Sequence, residues 1–368
     1  MKIALISDCY VPRLGGIEMQ VHDLARHLQN AGHEVVVITT TAGPTVVDGV
    51  RVHRIDAPLL PFDIPFTPKA FRSVGDVLAT EKVDVAHFHG GVVSPLAYVC
   101  AYTAQKMGVP VVITLHCMWS YATPVFSFLN LLTKWGSWPV VLSAVSDVAA
   151  RPLRKISSDP ERVRVLPNGI ENDQWKISHN DDDDVITFVS VMRLAPRKRP
   201  MHLLRMMRNL VRSLPSDRKV RLLIIGDGPE LPQLEKFVRQ NGLTNVVQMV
   251  GRRKREEIRD IYSSADVFVA PANLESFGIA ALEARCAGLP VIAKQQTGIR
   301  EFVEHEKEGL LARDDRDMTA QMRRIVLDDD LRNRMAQHNQ TVTSSVDWGE
   351  VCRKNIEAYQ LAIDLRTP

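Results

Sequence analysis

Apolar and polar positions alternate between two periods along most of the chain. Short apolar runs bounded by polar or glycine residues read as buried strands at 3–7, 34–39, 50–55, 84–88, 109–115 and 140–145. Between them, apolar residues recur at helical spacing. The clearest case opens at Gly15-Gly16 and runs to Asn30, with Val21, Leu24, Ala25 and Leu28 on one face and Ala31-Gly32-His33 as its stop. Further helices fit at 68–80, 92–107 and 124–136. The alternation restarts at 185–191, followed by strands at 220–225, 246–250, 266–271 and 291–293, with helices opening near Pro200, Glu230, Glu256 and after Glu275. The tail from Arg316 is helical, interrupted near Asp328–Asp330 and around Ser344-Ser345. Such alternation predicts parallel sheets covered by helices on both faces, an α/β fold. No repeat of solenoid period occurs.

Length and one charge run change that picture from one domain to two. At 368 residues the chain exceeds a usual single domain. The consecutive acids Asp181–Asp184 repel one another and favour a solvated linker. The expected units are therefore two doubly wound domains facing a central cleft, 1–178 and 185–347, with the last helix, 348–368, available to complete the first. Composition adds exclusions. With 45% hydrophobic and 24% charged residues the chain is an ordinary globular protein, and a net charge of +3 falls short of a nucleic-acid-binding domain. Five scattered cysteines show no disulfide or metal spacing, which fits a reducing cytoplasm. Met1–Asp8 turns polar too quickly for a signal peptide, and no run of about 18 apolar residues could span a membrane. The expectation is a soluble or peripheral protein.

In parallel sheets ligands bind beyond the carboxyl ends of strands, where loops meet helix N-termini, so chemistry is sought there. Glu275-Ser-Phe-Gly-Ile-Ala-Ala-Leu-Glu283 follows a strand and places a carboxylate on each side of a helix start, Glu283 about two turns in. Arg193-Leu-Ala-Pro-Arg-Lys198-Arg-Pro crowds four cations into another post-strand loop, the expected device for neutralising a diphosphate. Gly15-Gly16 would let a backbone approach a phosphate, or serve only as a tight turn; the dinucleotide pattern G-x-G-x-x-G is missing. Gly226-Asp-Gly-Pro-Glu230 reads first as turn geometry. His116 ends one strand, and His87 with His89 end another on a common face. None of these histidines has a visible third partner for a metal. Asp315-Arg-Asp317 matches D-x-D but reads as N-capping, so no metal and no cofactor are expected.

Together with Val165-Leu-Pro-Asn-Gly-Ile170, these loops resemble, in order and over nearly the whole chain, the family-4 retaining glycosyltransferases of the GT-B fold. The resemblance implies a nucleotide-sugar donor (GDP-mannose, UDP-glucose or UDP-GlcNAc) held by the second domain and a hydroxyl acceptor, lipid or glycan, held by the first. It assigns Glu283 to the ribose hydroxyls. Glu275 would face the donor sugar, with backbone groups of Phe277, Gly278 and Ile279. Arg193 and Lys198 would hold the diphosphate, with Gly15 and Gly16 approaching from the other domain. His116 would lie near the donor sugar, and Gly251-Arg252 near the base. Two departures stand out: Gln296-Thr-Gly298-Ile-Arg-Glu301 replaces a Gly-Gly pair, and Arg197-Lys198-Arg199 is unusually basic.

Residues 118–142 hold Trp119, Tyr121, Phe126, Phe128, Trp135 and Trp138, with Lys134 as their formal charge. The part from Val125 to Trp135 reads either as an amphipathic helix meeting a membrane or a greasy acceptor, or as an ordinary packed helix. With the aromatic, proline-rich loop 61–71, it keeps a peripheral contact with the inner face of a membrane in view. Two other readings of the same fold are a nucleotide-sugar epimerase or hydrolase, distinguished by product, and a silent sugar-nucleotide binder, disfavoured by the intact charged set.

Overall fold

The computed structural model describes residues 1–13, 15–57, 59–60, 64–65, 68–91, 94–118, 123–179 and 185–366. Trp119, Tyr121, the acidic run 181–184 and part of the 61–71 loop lie outside the described residues. The chain forms two compact units, residues 1–169 with 346–368, and residues 170–345.

The first unit runs β1 (Lys2–Ser7), α1 (Gly16–Asn30), β2 (Glu34–Thr39), β3 (Val46–Val47), β4 (Val50–Arg54), β5 (Leu59–Leu60), β6 (Ile64–Pro65), α2 (Pro68–Glu81), β7 (Val85–Gly90), α3 (Pro95–Lys106), β8 (Val111–Leu115), α4 (Thr123–Thr133), β9 (Val141–Ala144), α5 (Asp147–Ile156) and β10 (Arg164–Val165). Eight strands form one sheet in the order β10-β9-β8-β7-β1-β2-β4-β3, parallel except for the β3–β4 pair. Both faces of β1 are buried. Ile3 and Leu5 pack with Val21 and Leu24 of α1, and Ala4 and Ile6 pack with Val74 and Leu78 of α2. Each such aliphatic side chain contributes about 1.5–3 kcal/mol when fully buried, which is why these strands read as continuous apolar runs.

The second unit runs α6 (Asn172–Trp175), β11 (Val185–Val191), α7 (Pro200–Ser213), β12 (Lys219–Ile225), α8 (Leu231–Gln240), β13 (Val247–Gly251), α9 (Arg255–Tyr262), β14 (Val267–Ala270), α10 (Ile279–Cys286), β15 (Val291–Lys294), β16 (Gly309–Ala312), α11 (Asp315–Leu327) and α12 (Asp329–Thr341). Its six strands are all parallel, in the order β13-β12-β11-β14-β15-β16. The chain then ends in α13 (Trp348–Asp364), which belongs to the first unit. There Tyr359 is fully buried, and the Trp348 ring stacks on His27 at 4.7 Å.

The first unit closes at Gly169, ahead of the acidic run. A Cβ on Gly169 would lie 2.5 Å from the Trp348 ring, and the Gln20 amide both donates to and accepts from the Gly169 peptide. From Ile170 onward the chain packs with the second unit, where Trp175 meets Tyr262 at 5.8 Å. The Asn-Gly-Ile motif thus marks a close approach of backbone to an indole ring.

Helix α4 shows an uncommon distribution. Phe126 turns inward against Tyr98, and the Trp135 and Trp138 indoles donate to the Phe126 and Thr133 carbonyls. Outward, Val125, Phe128, Leu131 and Leu132 are each 60% or more exposed. An ordinary packed helix would bury that face.

Candidate active site

In the second sheet the connections reverse direction at β11, so β11 and β14 are adjacent strands whose following loops diverge. That switch point opens a crevice at the carboxyl ends of a parallel sheet, where such sheets bind ligands. The loop after β11 carries Arg193 and Lys198; the loop after β14 carries Glu275. The Lys198 Nζ donates to Glu275 Oε2 at 2.5 Å, so the two predicted site residues form an ion pair across the switch point. Arg193 is exposed beside them in sequence, and its neighbours are tied to the next loop. The Met192 N–H donates to the Ile225 carbonyl, and the Leu194 N–H to the Asp227 carbonyl.

That tie explains the glycines at 226 and 228. Both have positive φ, and a Cβ on Gly226 would lie 1.8 Å from the Met192 carbonyl oxygen. A Cβ on Gly228 would lie 2.4 Å from the Leu194 oxygen. The Gly-Asp-Gly turn is therefore a backbone seat for the Arg193 loop, in line with the turn role expected for it. Gly226 also donates to Gly251, whose own backbone is left-handed, and Arg252 follows it exposed.

Glu275 opens the segment that ends in α10. Phe277 is buried against Phe302 at 5.3 Å, so its side chain anchors the turn and leaves the backbone of 277–279 to face outward chemistry. Gly278 caps α10 in the left-handed region, where a Cβ would meet Ile299 at 2.6 Å. The Gly298 N–H donates to the Glu275 carbonyl, which brings the Gln296–Glu301 departure directly against this turn. Because α10 begins only at Ile279, Glu283 lies just over one turn in, not the two expected. It is buried and meets the Arg255 guanidinium at 3.2 Å. Arg255 in turn lies 5.2 Å over the Trp175 ring. The sequence reading missed Arg255; its signal was the basic run 252–255 just after β13.

Asp315 also departs from expectation. The α11 N-cap is Asp314, which accepts from the Asp317 N–H at 2.8 Å. Asp315 is instead the first helical residue, with its carboxylate turned to Arg199 and Lys294.

In the first unit the predicted histidines gather at the ends of β7 and β8. His89 Nδ1 and His116 Nε2 are 3.0 Å apart, and the His87 and His89 rings are 4.0 Å apart. His87 is fully committed, with Nδ1 on the Tyr359 hydroxyl and Nε2 on the Thr114 hydroxyl. That makes it structural, while His89 links to His116. Burial pushes His87 down to about 3 and His116 to about 4, and His89 well below the ordinary histidine value. All three are neutral near pH 7. Asp8, at the end of β1, caps α3 by accepting from the Leu96 N–H; burial raises it to about 6. Gly15 and Gly16 open α1, but the buried Glu18 carboxylate, paired with Arg13, already lies over Gly15. A phosphate at that helix start would have to displace Glu18.

Among the described residues no group of three or more histidine, cysteine, aspartate or glutamate side chains is arranged to hold a metal.

Comparison with known proteins covers both units. Residues 14–174 match the family described as Glycosyltransferase Family 4, and residues 170–342 match Glycosyl transferases group 1. The chain is similar to a phosphatidylinositol N-acetylglucosaminyltransferase of Arabidopsis thaliana, 25% identical over 99% of this chain and 82% of that one. It is also similar to a GDP-mannose-dependent alpha-mannosyltransferase of Mycobacterium tuberculosis, 27% identical over 84% of this chain and 83% of that one. In structure it resembles the HepE protein of Anabaena in complex with UDP and glucose, with a TM-score of 0.77 and 20% identity over 97% of this chain and 98% of that one.

Proposed function

The chain belongs to the family-4 glycosyltransferases of the GT-B fold, and from that premise we propose that it moves a hexose from a nucleotide-diphosphate sugar to a hydroxyl acceptor, with retention and without a metal. The observation that carries this reading is the Lys198–Glu275 pair at the β11/β14 switch point. Breaking the anomeric C–O bond leaves negative charge on the departing diphosphate and positive charge on the sugar ring. A site for that reaction needs a cation and a carboxylate side by side. Lys198 and Arg193 stabilise the first charge, helped by the N-terminus of α10, and Glu275 supports the second. With two fixed cations the leaving group is neutralised by this chain's own residues. Glu283, set deeper and oriented by Arg255, binds the ribose hydroxyls. His116, neutral and hydrogen-bonded to His89, serves the donor sugar as a hydrogen-bonding group, not as a charge.

The donor falls among GDP-mannose, UDP-glucose and UDP-GlcNAc, since relatives and neighbours are described with both bases. A thermal-shift panel of these sugars, followed by turnover with candidate acceptors, tests the proposal. One donor is expected to stabilise the protein and to lose its hexose only when acceptor is present. Release of free sugar or of an epimer without acceptor would reassign the enzyme to hydrolysis or epimerisation, and no stabilisation by any of them would defeat the reading.

The acceptor side points to lipid. A relative named for phosphatidylinositol and the outward apolar face of α4 support it independently. Helix α4 contains no acidic residue and is followed by Lys134. Nearby, Lys106 lies over the Tyr102 ring, and that ring packs against Trp138. Apolar side chains flanked by aromatic rings and lysines suit the headgroup boundary of a bilayer. No helix among the described residues is long and apolar enough to cross a membrane, so the contact is a surface one, at the cytoplasmic face where free cysteines persist. The protein is expected to float with vesicles of phosphatidylcholine and phosphatidylinositol, and Phe128→Ser/Leu132→Ser is expected to remain at the bottom of the gradient. Equal behaviour of the two proteins would remove α4 from the membrane contact.

A further inference from the structure

Four loops of the second sheet meet at one carboxylate. The Asp315 carboxylate takes both arms of the Arg199 guanidinium, Nη1 at 3.0 Å and Nη2 at 2.6 Å. It also takes the Lys294 ammonium at 2.8 Å, and that lysine is completely buried. Arg199 Nη1 further donates to the Asn273 side chain at 2.5 Å. These residues follow β11 (Arg199), β14 (Asn273), end β15 (Lys294) and follow β16 (Asp315). Burial alone would raise the Asp315 carboxyl, but hydrogen bonds from Lys294 and Arg199 outweigh it and hold the group below its ordinary range.

The backbone shows what the tether does. Arg199 has φ 61° and ψ 40°, left-handed for a side chain that gains nothing from it, and Pro200 follows. A long cationic residue is costly there, and its proline neighbour restricts it further. The bidentate bond to Asp315 secures that turn. Lys198 is the adjacent residue, so the same turn sets where its ammonium points, now at Glu275 two positions beyond Asn273. Two cations also share one carboxylate here, which leaves the cluster net positive beside the loop assigned to an anion.

We propose that Asp315 is a positioning residue for the diphosphate: by clamping Arg199 it aims Lys198 at the phosphate farther from the nucleoside. This deepens the proposed function and rests on it. The chemistry it serves is a nucleoside diphosphate as against a nucleoside monophosphate, so the readout is the ratio of the two affinities.

Calorimetry with UDP and UMP, and with GDP and GMP in parallel, separates the cases. Asp315→Asn is expected to weaken diphosphate binding about tenfold, the weight of a charged hydrogen bond, while monophosphate binding changes less than about twofold. Asp315→Glu is expected to restore part of the difference. Because Asp315→Asn leaves Lys294 buried without its partner and can fail to fold, Arg199→Gly is the second variant. Glycine suits the left-handed backbone and leaves the Asp315–Lys294 pair in place. It is expected to show the same selective loss. Equal losses for diphosphate and monophosphate, or an unchanged diphosphate affinity in Arg199→Gly, would overturn the positioning role. A wild-type protein that binds neither diphosphate would instead overturn the proposed function.

Discussion

Lys198→Ala is expected to slow hexose transfer about a hundred- to a thousandfold, roughly 3–4 kcal/mol of transition-state stabilisation. The loss should appear mainly in kcat, because charge on the diphosphate grows as the anomeric bond breaks and the ammonium meets that charge most strongly in the transition state. The structure adds a second consequence. Lys198 is held on Glu275 at 2.5 Å, so its removal also leaves that carboxylate without its partner. A negative charge facing an incoming diphosphate repels it, and donor binding should weaken as well. Arg193→Ala should lower the rate comparably but leave the Lys198–Glu275 pair intact, with a smaller effect on binding. Steady-state kinetics with donor and acceptor, beside calorimetry with the free nucleotide, separate the two. Near-wild-type turnover in both variants would end the assignment of these cations to the leaving group.

The first unit is expected to lose stability steeply as pH falls from about 6.5 to 4.5. His87 is buried neutral with both ring nitrogens engaged, and burial has pushed it to about 3. In the unfolded chain it binds a proton near the ordinary histidine value of about 6.5. Through that window the unfolded state holds more protons, so stability rises with pH and is fully restored above 6.5. At pH 4.5 His87 alone costs on the order of 3 kcal/mol. His89 and His116 act in the same direction. Asp8 acts against them. Burial raises it to about 6, so its folded form takes up a proton first and stabilises the acid state by on the order of 2 kcal/mol at pH 4.5. Three histidines outweigh one carboxyl, and domains hold only about 5–15 kcal/mol in total. Unfolding midpoints measured from pH 7.5 to 4.5 should fall accordingly, and His87→Gln should flatten the curve. A flat wild-type profile would show that the histidines protonate within the fold.

Much of the architecture was legible because each element carries its own period. The strand at 34–39 and the strand at 185–191 lie where their apolar runs placed them, and the break between α11 and α12 falls at Asp328 as expected. Misses have local causes. Helix α5 was hidden by Pro152 inside it, although Ser146 caps it from outside by accepting the Ala149 N–H. Strand β16 is short and begins at a glycine, where a Cβ would lie 2.0 Å from the Val291 carbonyl oxygen. Nothing in a four-residue run announces such an approach. Asp314 and Asp315 are neighbours of identical chemistry, and only the direction each takes from the helix start separates a cap from an ion-pair partner.

The stretch Glu275–Glu283, the cationic loop at 193–199 and the strand-end histidines could be read from residue types alone, since strands, turns and charge are local properties. Which of those loops become neighbours could not. The order of strands in a parallel sheet is set by crossover connections many residues long, and the same apolar runs would fit several orders. Placing β11 beside β14 is what joins Lys198 to Glu275. Setting β7 beside β8 joins His89 to His116, and α10 facing the start of α9 gives Glu283 its Arg255. The residues carry the charges, and the non-local packing of the sheets turns them into pairs.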